Sequence, residues 1–251
     1  MTPEAIDAAV RALVQARRTR QRLDALPQDA RPATVDDAHA IQHATVEALR
    51  DAVAGWKVLS PVGGQVAHGV LLRSRLLDSP AQLPAHDVPM LGVEAEIAFR
   101  FDRDLPAQAS DYRDGEVADA VTAFPAIEVV DLRFVDYKGS AVLDRLADCG
   151  SNGAFVRGVP RPGWRDLDLS QLRVELTIDD RVVVDRRGGH ASVDPLLPAI
   201  ALANALRRTS GVRAGQIMTT GTYTGLNYAQ PGQTVTVAFD GFAPVTLHFT
   251  V

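Results

Sequence analysis

Between Val93 and Phe101 the chain reads V-E-A-E-I-A-F-R-F, with apolar residues at every second position. Period-two spacing belongs to a β-strand, where successive side chains point to opposite faces. Val93, Ala95, Ile97, Phe99 and Phe101 then line one face. Glu94 and Glu96 share the other, roughly 7 Å apart at their Cα atoms. A half-exposed strand shows the same alternation, so the pair gains its meaning from a second segment. Glu128 sits in F-P-A-I-E-V-V-D, flanked by Ile127, Val129 and Val130. A buried carboxylate without a partner is costly and is normally neutralised, paired or metal-bound. Three carboxylates from two strands make an all-oxygen site, suited to Mg²⁺ or Mn²⁺ and unlike the nitrogen and sulfur sets that zinc prefers.

Composition narrows the partners. A formal net charge of -5 disfavours nucleic acid or an anionic membrane, both of which call for a basic patch, and leaves a small metal-bound substrate compatible. The single cysteine, Cys149, excludes an intrachain disulfide framework and a multi-cysteine metal site, and fits a reducing compartment. The first residues carry Glu4 and Asp7 and lack a signal-like apolar run, so a cytoplasmic location is expected. The longest apolar stretch, Pro195 to Leu206, is too short to span a bilayer and reads as a buried helix from about Asp194 to Arg208.

From Glu4 to about Arg20, Ile6, Ala9, Val10, Leu13, Val14 and Ala16 recur at helical spacing, opposite a basic face of Arg11, Arg17, Arg18 and Arg20. Thr34 and Asp37 form a capping-box-like start to a second helix carrying Ala38, Ile41, Thr45, Ala48 and Leu49. These segments predict a helical N-terminal lobe over residues 1–54. Residues 55–251 form a second, mostly β unit, with long loops near Pro80–Pro89 and Asp102–Glu116. Val174, Leu176 and Ile178 alternate, Asp179-Asp180 turns, and Arg181 to Asp185 returns as a hairpin. Two further alternating runs, Val235/Val237/Phe239 and Val245/Leu247/Phe249/Val251, meet through Gly241. The pattern predicts an α+β chain.

Other residues carry chemistry-bearing types. Lys57 follows Gly-Trp at the head of a β-type run, where a solvated surface charge is the plainer role; beside a dication or in an apolar pocket its pKa would fall, giving a neutral or proton-shuttling amine. Asp148 opens D-C-G-S-N-G, a flexible polar turn between apolar runs, where a loop cap is the plainer role. T-T-G-T-Y-T-G, from Thr219 to Gly225, is a loop whose amides and hydroxyls could hold a carboxylate; an ordinary surface turn is the alternative. His39 and His43 lie four apart and read as a surface pair on the second helix, and no histidine has metal-binding spacing.

The order A-H-A-I-Q (38–42), G-W-K-V (55–58), V-E-A-E-I-A-F (93–99), P-A-I-E-V-V-D-L-R (125–133), L-A-D-C-G-S-N-G-A-F-V-R-G (146–158) and G-Q-I-M-T-T-G-T (215–222) resembles the 2-keto-4-pentenoate hydratase family of the fumarylacetoacetate hydrolase superfamily. The resemblance implies a mixed, barrel-like β-roll with flanking helices. It implies Mg²⁺ or Mn²⁺ on Glu94, Glu96 and Glu128, an active-site lysine at Lys57, an active-site loop at Asp148 and Ser151, and a substrate-closing loop at Thr222. The chain departs from the family pattern at Val58–Gly64 and Cys149-Gly150. Thr220-Gly221-Thr222 leans towards the hydrolase branch.

The expected activity is hydration of a 2-hydroxy-2,4-dienoate to a 4-hydroxy-2-oxo acid, in the breakdown of aromatic compounds. Lys57 would transfer the proton and Asp148 orient it or activate water. Decarboxylation of a 2-oxo-3-enedioate such as 4-oxalocrotonate, or hydrolysis of an acylpyruvate, uses the same enolate chemistry, and a non-catalytic partner subunit is the remaining alternative. The expected partners are a small 2-oxo or 2-hydroxy acid, further copies of the chain in a homo-oligomer, and a pathway enzyme as an open option.

Overall fold

The computed structural model describes residues 1–251. Helix α1 spans Pro3–Thr19 and α2 spans Val35–Leu49. The α2 start is the reciprocal cap read from the sequence: Thr34 Oγ1 accepts from the Asp37 amide and Asp37 accepts from the Thr34 amide, each at 3.1 Å. The chain continues as β1 (Val53–Val62), β2 (Gln65–Leu72), β3 (Leu76–Asp78), β4 (Ala81–Pro84) and β5 (Gly92–Phe101). Helix α3 (Asp114–Ala118), β6 (Val121–Val130), α4 (Val142–Ala147) and β7 (Asn152–Arg157) follow. The last part holds β8 (Arg173–Ile178), β9 (Arg181–Arg187), α5 (Leu196–Leu206), β10 (Ile217–Thr222), β11 (Asn227–Tyr228), β12 (Thr234–Phe239) and β13 (Val245–Thr250).

The larger sheet has the order β2-β1-β10-β5-β6-β7-β3, with β11 attached to β5. It is mixed, because β1 pairs parallel to β10 and β3 parallel to β7 while the other pairs are antiparallel. The second sheet runs β4-β13-β12-β8-β9, and its β12 and β13 lie over β6 and β7. This is the α+β arrangement that the alternation predicts and the barrel-like roll that the family resemblance implies. Val93, Ala95, Ile97, Phe99 and Phe101 join Val235, Val237, Leu247 and Phe249 in one core between the sheets. At roughly 25 cal/mol per Å² of apolar area, that burial is the main force fixing the β5 register, since a one-residue slip would turn five apolar side chains out of the core and carboxylates into it.

The helical hairpin has its own core. Ala9, Leu13, Val35, Ala38 and Ile41 pack against Leu132, Phe134, Leu146 and Ala147 of the following segment. Helix α5 is shorter at both ends than Asp194–Arg208, and a strand, β4, lies inside the 80–89 segment expected as loop. Pairing with β13 recruits β4, and Pro84 is tolerated at its end because β4 is an edge strand. No helix is long and apolar enough to cross a membrane.

Candidate metal centre

The second face of the large sheet carries the site. Glu94 of β5 stands opposite Glu128 of β6 in an antiparallel pair, and Glu96 lies two residues along on the same face. One carboxylate oxygen from each of the three falls within 4.8 Å of the others. Glu96 and Glu128 are buried and Glu94 is half-buried, so the cluster has one partly open side. On the same face, β1 brings Lys57 and β10 brings Thr219, set level with each other by the parallel β1–β10 register. β1 and β10 approach so closely that a Cβ on Gly55 would lie 2.0 Å from the Ile217 carbonyl oxygen, which is why glycine stands there.

Each carboxylate is held differently. Lys57 Nζ lies 2.5 Å from Glu128 Oε1, and the Asn152 amide donates to the same oxygen at 3.2 Å. Glu128 Oε2 is buried with no partner. Glu96 accepts from the Thr219 hydroxyl and, at 3.4 Å, from the Gly221 amide. Burial, then the charge of Glu128, raises Glu94 to about 7 despite the opposing Lys57 charge. Burial, then Glu128 and Glu94, raises Glu96 well above the ordinary carboxylate range. Burial alone would lower Lys57, but Glu128, Glu94 and Glu96 outweigh it and leave its pKa raised, so it is an ammonium. One ammonium cannot balance three carboxylates. An orphaned buried oxygen, an all-carboxylate donor set and excess negative charge together fit a hard divalent cation such as Mg²⁺ or Mn²⁺.

The structure corrects the pairing of Asp148 with Lys57. Both Asp148 oxygens accept from Arg133 Nε at 2.8 Å, Oδ2 takes the Arg133 amide at 2.8 Å, and Arg17 adds a contact at 3.0 Å. A carboxylate with no exposed surface is stable only when so paired, and Lys57 takes Glu128 as its partner instead. The turn after Asp148 does reach Lys57. Cys149, Gly150 and Ser151 all have left-handed backbones, with φ of 53°, 63° and 61°, and a Cβ on Gly150 would lie 3.3 Å from Lys57 Cδ. Two of these are non-glycine residues in a conformation costing roughly 1–2 kcal/mol each, held by the Asp148–Arg133 pair. Ser151 is buried within this turn.

Thr219 to Thr222 is strand rather than surface loop, because β10 extends through it with an irregularity between Thr219 and Thr222. Its hydroxyl and amide donors point at Glu96. Thr222 lies across from Glu96, its hydroxyl 3.4 Å from the Ala95 carbonyl. His39 is likewise no simple surface residue. Its ring centroid lies 4.1 Å from that of buried His68, with His43 stacked beyond. The sequence placed Thr219 in a loop for a substrate carboxylate, whereas its hydroxyl donates to Glu96; Asn152 and Arg133 were given no site role. The Asn in D-C-G-S-N-G and the Arg in E-V-V-D-L-R were the available signals. Half-buried Tyr137 is also close enough to feel the charges of Lys57, Glu94 and Glu128.

No family model matches the chain. Solved structures define its fold. The chain superposes on fumarylacetoacetate hydrolase from Exiguobacterium antarcticum with a TM-score of 0.61 and 14% identity, covering 80% of this chain and 76% of that one. With 4-oxalocrotonate decarboxylase from Pseudomonas putida G7, complexed with magnesium and adipate, the TM-score is 0.85 at 23% identity, over 99% and 98% of the two chains. The fold is of the fumarylacetoacetate hydrolase type. The chain belongs to the 2-keto-4-pentenoate hydratase family, being 32% identical over 188 residues to the 2-keto-4-pentenoate hydratase of Paraburkholderia phymatum, across 74% of this chain and 71% of that one.

Proposed function

We propose that this protein is a divalent-metal-dependent hydratase that adds water to a 2-hydroxy-2,4-dienoate and yields a 4-hydroxy-2-oxo acid. The observation that carries the reading is the convergence of Glu94, Glu96 and Glu128 beside the Lys57 ammonium, in a chain whose relatives include hydratases of that substrate class. Glu94, Glu96 and Glu128 would hold Mg²⁺ or Mn²⁺; a magnesium complex of the decarboxylase with the same fold is consistent with that choice. The bound ion would supply Lewis-acid stabilisation of negative charge on the substrate's carboxylate and 2-oxygen.

The chain's own residues supply positioning and proton transfer. Lys57 holds a proton at Nζ, fixed by Glu128 Oε1, and delivers it to the far carbon of the dienol while the 2-hydroxyl proton leaves to solvent; water then adds its hydroxyl at C4 and a proton at C3, and solvent reprotonates Lys57. A dication nearby makes that ammonium a stronger acid. Asn152 and Thr219 fix the rotamers of Glu128 and Glu96. Asp148 acts one step back, holding with Arg133 the turn that packs on the Lys57 stem. Ser151 and Thr222 are the substrate-contacting residues of this reading. The protein would work as a homo-oligomer, which light scattering would reveal.

The test is loss of diene absorbance on 2-hydroxypenta-2,4-dienoate with Mg²⁺ present. Lys57→Met should lower kcat about a hundredfold or more while Mg²⁺ affinity is kept or tightened. Full turnover in Lys57→Met would refute the lysine's role. Release of CO₂ from a 2-oxo-3-enedioate in place of hydration would assign the same centre to decarboxylation.

A further inference from the structure

Arg17, Arg18, Arg20 and Arg22 crowd the end of α1 and the turn after it, in a chain of net charge -5. In the fold they join Arg75 and Arg133 around a cavity of about 230 Å³. The carboxylates facing that space are Asp51, Asp87 and Asp131, and Asp148 lies behind it on Arg17 and Arg133. Six guanidiniums against four carboxylates leave two positive charges uncompensated.

The pairing also leaves donors to spare. Arg20 and Arg75 share one carboxylate, Asp87, at 2.6 and 3.3 Å. Asp51 turns away to the Ser74 hydroxyl and the Ala52 amide. Arg17 Nε is buried with no partner, and Arg18 has no carboxylate at all. Arg133, by contrast, is committed to Asp148 and to the Asp131 and Asn152 carbonyls. Basic residues in a last helical turn complement the helix dipole, which accounts for Arg17 and Arg18. Arg20, Arg22 and Arg75 lie beyond the helix; Arg22 is paired with Asp131 at 2.7 Å, whereas Arg20 and Arg75 have only the one carboxylate they share.

We propose that this cavity binds a small dianion, with Arg17, Arg18, Arg20 and Arg75 as its donors. Planar guanidinium forks match both carboxylate and phosphate oxygens, and a dianion cancels the excess charge. At roughly 30 Å³ per water molecule, the volume suits an anion the size of inorganic phosphate or a four-carbon dicarboxylate. The cavity is distinct from the carboxylate cluster, as its lining includes neither Lys57 nor any of the three glutamates, though Arg17 and Arg133 also hold Asp148.

The experiment is calorimetric titration of the full chain with phosphate and, separately, succinate, at fixed ionic strength in metal-free buffer so that the carboxylate centre recruits neither anion. Saturable binding with one site per chain is expected, weakened about tenfold by Arg18→Gln and likewise by Arg20→Gln. Arg18 is exposed and unpaired, so its variant keeps the fold, checked by an unchanged melting temperature. Tighter phosphate binding would point to a phosphorylated ligand and tighter succinate binding to a dicarboxylate. Absence of saturable binding for both anions, or equal affinity in wild type and the two variants, would overturn the proposal.

Discussion

The charge imbalance at the carboxylate cluster makes metal binding a proton-release reaction, and its size follows from the geometry. Without a cation, burial and mutual repulsion hold Glu94 at about 7 and push Glu96 well above the ordinary carboxylate range, because they disfavour the charged forms. The ion binds carboxylates, so these protons must leave. Affinity for Mg²⁺ should therefore fall as pH drops through 7. For Glu94 alone, lowering pH from 8 to 6 costs about tenfold, and the upward shift of Glu96 acts in the same direction. Calorimetry at pH 6.5 in two buffers of different ionisation enthalpy would count the protons: a net release is expected that includes most of the proton held by Glu94. Glu94→Gln should lower the release by about three quarters of a proton. An affinity equal at pH 6 and 8, with no buffer-dependent heat, would refute the account of how three carboxylates share this space.

Two further outcomes concern stability. His68 is buried without a hydrogen bond to its ring, and burial followed by the charges of His39 and His43 lowers its pKa to about 3 from an ordinary 6.5. The unfolded chain thus takes up a proton below pH 6.5 that the native state refuses until about pH 3, so stability is lost as pH falls through that window. One such histidine costs about 1.4 kcal/mol between pH 7.5 and 5.5; urea denaturation should show a pH-dependent loss smaller by about that amount in His68→Leu, and equal losses in the two proteins would contradict it. Arg133→Leu should cost about 3–5 kcal/mol in the same assay, because it strands the buried Asp148 carboxylate; a change below 1 kcal/mol would mean that Arg17 alone suffices.

The relation between sequence and fold differs from element to element. The reciprocal Thr34–Asp37 cap, the β8–β9 hairpin around Asp179-Asp180 and the inward face of β5 were legible, because each depends on local backbone chemistry or on a two-residue period. Strand β4 was not, since Ala81–Pro84 has no strand signature of its own and is ordered by β13 from the far end of the chain. The arginine cavity shows the same limit: the basic face of α1 could be read, but not that Arg75 and Arg133 would meet it.

At the carboxylate cluster the sequence by itself determined that Glu94 and Glu96 share a face, because strand geometry leaves no alternative. Only the tertiary structure decided that Glu128 stands opposite Glu94, that Lys57 binds Glu128 rather than Asp148, and that Asp148 belongs to Arg133 and Arg17. Those choices are electrostatic. Which opposite charge a buried group meets depends on sheet order and register across the whole chain, and a carboxylate taken out of water must take whichever cation the fold brings within reach.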